Sequence, residues 1–153
     1  MPARAYRRDV RIAALALLLV ALLASAARAA QDDSPAATKR IVRVWSQRLN
    51  AYDNAGVARL FARPAIFVQN GSAFRLETYA EIATWHRLLP CAGRIVSITV
   101  KGDVATAVFV LANGKHRRCA APGEKAAAVF RVRGGKIVGW AQIPVPAGSG
   151  PVA

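Results

Sequence analysis

The segment from Arg48 to Gln69 constrains this chain more than any other, because it ends one helix, forms a second short one and starts a strand. Ahead of it, Ile41, Val44, Trp45, Arg48/Leu49 and Tyr52 recur at spacings of three and four, which lays an apolar stripe along a helix of about four turns. Asp53-Asn54-Ala55-Gly56 then supplies turn and capping chemistry: Asp53 or Asn54 can accept from the orphan amides of a following helix, and Gly56 tolerates a tight backbone. Val57, Leu60 and Phe61 add one more apolar turn. Pro64 cannot continue a helix and pushes Arg63 toward extended geometry, so Ala65 to Gln69 is expected as a strand, closed by a turn at Asn70-Gly71.

The rest of the chain follows the same logic. Thr78 with Glu81 three residues later forms a capping box, and Tyr79, Ile82, Trp85/His86 and Leu89 give a third helix its inward face before Pro90 ends it. Arg94 to Lys101 and Val104 to Ala112 read as a hairpin around Gly102-Asp103. Ala126 to Arg133 and Lys136 to Ile143 read as another around Gly134-Gly135, and Pro144 and Pro146 stop the sheet. In the strand from Val104, one alternating set holds Val104, Val108 and Val110 and the other Ala105, Phe109 and Leu111. Such a strand is expected to be covered on both faces, by helices on one and by a second copy of the chain on the other, so a homodimer is expected.

A long helix, a short helix and a strand, then a third helix and four strands, resembles the nuclear transport factor 2-like superfamily, which includes SnoaL-like cyclases and ketosteroid isomerases. The resemblance runs from about Thr38 to Pro144, with Leu49-Asn50-Ala51-Tyr52-Asp53 and Leu60-Phe61-Ala62 as its local signature. It implies an α+β fold: a cone-shaped, curled antiparallel sheet wrapped around a long N-terminal helix and two further helices, with an apolar pocket at the open end. A fold of this kind hosts enzymes, binding proteins and assembly modules alike.

Residues 1–29 read as a signal peptide. Arg4, Arg7, Arg8 and Arg11 make a basic start, Ile12 to Leu23 is apolar, and Ala27-Arg28-Ala29 offers small residues where a signal peptidase reads. Export to the periplasm, cell envelope or extracellular space is expected, with an uncleaved membrane anchor as the alternative. Residues 30–37 read as a linker, 38–146 as the folded domain and 147–153 as a disordered tail. In an oxidising compartment the pair Cys91 and Cys119 is most simply one disulfide, worth about 3 kcal/mol in the chain-entropy model. No Cys-x-x-Cys is present, so neither a redox pair nor a metal site is expected, and no cofactor is implied.

The chain carries 22 Lys+Arg against 8 Asp+Glu. Without residues 1–29 the balance is 17 against 7, still strongly basic, which favours an anionic partner such as a cell-envelope polymer. Lys115, Arg117 and Arg118 form the densest cluster and are the anion-binding candidates. No aromatic residue alternates with these charges as a nucleic-acid stacking platform requires, so nucleic acid is not the expected partner.

None of the acidic residues falls at a pocket-facing position in mid-strand. An isomerase of the resembled superfamily would use an aspartate base just after the first strand and a tyrosine on the first helix; the matching positions here are Gln69 and Trp45. Gln69 cannot abstract a proton and the Trp45 indole can only donate, so that activity does not carry over. Nor is there the interior Asp-Arg-Asp set of an epoxide hydrolase of this fold. The expectation is therefore an exported SnoaL-like domain that binds a small apolar or amphipathic ligand, or serves an accessory or assembly role. Trp45, Tyr52, Phe67, Gln69, Trp85, Trp140 and Gln142 are the pocket candidates. The alternative is a small lyase, isomerase or cyclase using His86 as general base.

Overall fold

In the computed structural model, which describes residues 33–148, three helices lie on one face of a six-stranded sheet. The helices are α1 (Pro35–Asn50), α2 (Asn54–Ala58) and α3 (Tyr79–Leu88); the strands are β1 (Phe61–Gln69), β2 (Ser72–Leu76), β3 (Cys91–Lys101), β4 (Val104–Asn113), β5 (Lys125–Arg133) and β6 (Lys136–Ile143). The strand order is β2-β1-β6-β5-β4-β3, so the curled sheet is open, with β2 and β3 at its edges. Four of its pairings are antiparallel, whereas β1 runs parallel to β6. That parallel seam is what joins the N-terminal hairpin to the C-terminal strands. The segments read as signal peptide and most of the tail lie outside the described residues.

Local chemistry explains the helix ends. Ser34 caps α1 by accepting from the Ala37 amide at 3.1 Å, so the helix starts within the stretch expected as linker. It stops at Asn50 rather than Tyr52. Asp53 N–H reaches Arg48 O and Tyr52 N–H reaches Leu49 O, with Tyr52 itself at φ 62°, a Schellman ending in which a tyrosine takes the place usually held by glycine. Asp53 then caps α2 through Gly56 N–H at 2.8 Å; a Cβ at Gly56 would collide with that carboxylate. The capping box at Thr78 and Glu81 is formed, and hydrogen bonds from the Glu77 and Thr78 amides hold the Glu81 carboxyl below its usual range.

Two strand features were not legible. β1 begins at Phe61, four residues before the expected start, and the short β2 pairs with it through a hairpin at Asn70-Gly71, both at positive φ. Between the pairs Phe61/Ile137 and Ile66/Gly139, four residues of β1 stand opposite one of β6, an irregularity that accommodates Pro64, which has no amide for a ladder. The core gathers on the concave face: Val42 and Trp45 of α1, Phe61 and Phe67 of β1, Ile82 of α3, and Phe109, Phe130 and Trp140 of the sheet. On α1 the buried set is Thr38, Val42, Trp45 and Ser46, with Ile41, Val44 and Leu49 half-buried, a stripe rotated from the expected one.

Candidate functional site

Two neighbouring regions of the concave face hold the residues singled out by sequence. The first is solid. His86 is 1% exposed and sits among Phe61, Phe67 and Trp85, with ring centroids 5.1, 5.7 and 4.9 Å away. The Trp45 indole N–H donates to His86 Nε2 at 2.9 Å, and His86 Nδ1 lies 2.7 Å from Ile82 O, one turn back on α3. An indole can only donate and a carbonyl can only accept, so the proton resides on Nδ1 and the ring is neutral. Burial lowers the imidazole pKa to about 4, opposed by the Ile82 carbonyl. The lone pair a general base would use is thus occupied by Trp45. Beside the ring lies a cavity of about 20 Å³, room for one water.

The second region is an open pocket of about 180 Å³. Its walls come from Trp45, Ser46 and Leu49 on α1, the corner from Leu89 to Gly93 between α3 and β3, Phe109 and Leu111 on β4, Ala126 to Ala128 on β5, and Gln69, Trp140 and Gln142 at the ends of β1 and β6. The parallel pairing of Val68 with Ala141 sets Gln69 and Gln142 side by side in register. Ala126 and Ala128 on β5, opposite Phe109 and Ala107, leave room that larger side chains would fill, while Ala127, opposite Val108, turns its side chain to the other face. No residue of the wall is titratable, apart from Cys91, which is committed to a disulfide. The buried Trp140 Nε1–H has no hydrogen-bond partner among the described residues.

Of the seven pocket candidates, Trp45, Gln69, Trp140 and Gln142 reach this wall, and Phe67, Trp85 and Tyr52 do not. Phe67 and Trp85 back it instead: Trp85 lies 4.7 Å from Trp140 and 4.6 Å from Phe67. Tyr52 is turned by its positive φ against His116, ring centroids 4.5 Å apart. Sequence reasoning missed Phe109, Leu111, Leu89 and the β5 alanines. The signal that could have found them was the Ala126-Ala127-Ala128 run within an otherwise bulky strand.

Cys91 and Cys119 form the disulfide, tying the first residue of β3 to the loop after β4 with Cα atoms 4.5 Å apart. Cys91 contributes to the pocket wall, so the bridge braces its mouth. In the adjoining basic loop Arg117 donates to Leu88 O at 3.2 Å, satisfying a C-terminal carbonyl of α3, while Lys115 and Arg118 are exposed. Among the described residues no group of three His, Cys, Asp or Glu could hold a metal ion, and no helix is long and apolar enough to cross a membrane.

No family model and no curated protein matches the chain. Solved structures do. A nuclear transport factor 2-like protein of unknown function from Cytophaga hutchinsonii superposes with a TM-score of 0.55 at 11% identity, over 69% of this chain and 88% of that one. A candidate polyketide cyclase from Sinorhizobium meliloti gives 0.57 at 17%, over 68% and 94%. A de novo designed protein with a curved β-sheet gives 0.61 at 13%, over 74% and 88%. The chain therefore has the nuclear transport factor 2-like fold. A designed scaffold matches it as well as natural proteins do, so the likeness is one of architecture.

Proposed function

We propose that this chain is an exported binding domain for a small, uncharged, largely apolar molecule held in the pocket between α1 and the sheet. The observation that carries this reading is the pocket wall itself: aromatic and aliphatic side chains, two glutamine amides and no ionisable group free to titrate. An uncharged ligand enters such a site without leaving a charge unpaired, while a charged one would be desolvated against nothing. Size sharpens the class. A cavity of about 150 Å³ holds one benzene ring, so about 180 Å³ takes a single ring or short chain rather than a polycyclic skeleton. The Gln69 and Gln142 amides, each able to donate and accept, would orient a hydroxyl, carbonyl or amide on it.

Export is supported by the disulfide, which persists in oxidising compartments. The reading of a lyase, isomerase or cyclase with His86 as base is not favoured, because the imidazole is buried, neutral and bonded at both nitrogens. Homodimerisation through the outer face of β4 remains part of the proposal. Val108 is already buried within one chain, which leaves half-buried Val104 and Val110 for a partner, and sedimentation at micromolar concentration measures it.

Native mass spectrometry of protein purified from its own exported fraction tests the ligand. A retained neutral molecule of single-ring size is expected in the natural chain and not in Ala126→Leu, which fills the pocket from β5. A retained species that survives Ala126→Leu would place the ligand elsewhere.

A further inference from the structure

A second opening lies beyond Ser46 and Gly93. It is a groove of about 490 Å³ between α1 and the free edge of β3, with Arg43 and Gln47 on its helix wall and Arg94, Val96 and Ile98 on its strand wall. β3 is the last strand of the sheet and, among the described residues, pairs only with β4. The direction of its remaining backbone groups follows from β4. Leu111 exchanges hydrogen bonds with Glu124 and Gly123, on the side away from β3, so the even-numbered residues of β4 face β3. Val108, Thr106 and Val104 are opposite Ser97, Thr99 and Lys101, which therefore turn their backbone groups to β4. Ile98 and Val100 turn theirs to the open edge.

One residue of the edge shows what such groups accept. Gly93 N–H donates to Asn50 Oδ1 at 3.1 Å, and Asn50 Nδ2 donates to Gly93 O at 2.9 Å. The Asn50 amide thus makes the pair of bonds that a neighbouring strand would make, and the edge beyond it has no such cover from α1. The groove is also charged. Arg43 and Arg94 are exposed, neither forms an ion pair among the described residues, and no acidic side chain lines the groove. A second copy paired edge to edge would bring another strand with Arg94 and Lys101 and no acidic residue to a groove already carrying Arg43 and Arg94, which disfavours it.

We propose that this groove binds an extended acidic peptide segment of another protein, added to β3 as a further strand. Main-chain bonds to Ile98 and Val100 would supply the affinity, and Arg43 and Arg94 the preference for carboxylates. This stands apart from the ligand pocket. It requires only the free edge and the two arginines.

The probe is an acetylated eight-residue peptide alternating Thr and Glu, titrated into the purified protein with amide hydrogen exchange read by NMR. Exchange at Ile98 and Val100 is expected to slow at least tenfold at saturation. Affinity is expected to fall at least about tenfold in Arg43→Glu/Arg94→Glu, and to fall with added salt, while melting temperature stays unchanged because both side chains are exposed. The milder Arg43→Gln/Arg94→Gln variant should fall between the two. Binding without protection of Ile98 and Val100, or binding unchanged by charge reversal, would overturn the proposal. So would oligothymidylate binding to the same arginines as tightly as the peptide, since the surface would then be a general anion patch.

Discussion

The two halves of the concave face are built from the same kinds of residue and end in opposite states. Around His86 the rings of Trp45, Phe61, Phe67 and Trp85 close up, and both imidazole nitrogens are hydrogen-bonded. Around Trp140 the rings of Trp85 and Phe67 supply only a backing; the front is open, and the indole N–H has no partner. Trp45 belongs to both, with its N–H spent on the closed side and its ring forming part of the open wall. Where rings and hydrogen-bond partners close on one another the fold is stabilised, and where the rings supply only one wall a space is left for something else.

That contrast can be broken by substitution. The largest expected effect is His86→Ala, which leaves a cavity and strips Trp45 of its acceptor; about 3–5 kcal/mol of unfolding free energy should be lost in urea titrations. An effect under 1 kcal/mol would mean that the closed side is not the stabilising half. Protonation is the next test. The folded pKa of His86 is lowered to about 4, below the value near 6.5 of an unfolded chain, so the unfolded state binds the proton first as pH falls. Stability is fully present above pH 6.5 and should decline between pH 6.5 and 4 by about 3 kcal/mol, a slope that His86→Gln should flatten.

The bracing of the open side is expected to matter to a similar or slightly smaller degree. Replacing both Cys91 and Cys119 with Ala should cost about 3 kcal/mol, and should weaken ligand retention because Cys91 is in the pocket wall. Retention unchanged in that variant would remove the bridge from any role at the mouth. Smallest of all is Trp140→Phe. It deletes a donor that has no protein partner, so calorimetry should find stability within about 1 kcal/mol of the natural chain, and any loss of ligand retention would then be specific to the pocket.

Much of the scaffold was legible because its signals are local. The Thr78 and Glu81 capping box, the Gly134-Gly135 turn and the strand from Lys136 to Ile143 depend on neighbours a few residues apart, and all stand where spacing placed them. The N-terminal strand was read short because Phe61 looked like one more helical turn. It is drawn into the sheet by pairing with Ile137, a contact no local pattern announces. Tyr52 was read as the end of an apolar stripe, but a Schellman ending rotates it out of that stripe and toward His116. Of the candidate site, the aromatic residues were visible as a set, and their division into a packed group and a lined pocket was not.

The resemblance implied that Gln69 and Trp45 stand where an isomerase of this fold would need other groups; by itself the sequence determined the turns, caps and hairpins. Those depend on residue type and short spacing, which a chain carries before it folds. Tertiary structure decided that Trp45 meets His86 across 41 residues, occupying the lone pair on which a catalytic reading of His86 depended. It also decided that Ala126 and Ala128 of β5 face a space that no side chain of the described residues fills. Both are outcomes of how separate elements pack, fixed by which bulky rings compete for the same volume, and no periodicity along one element records that competition.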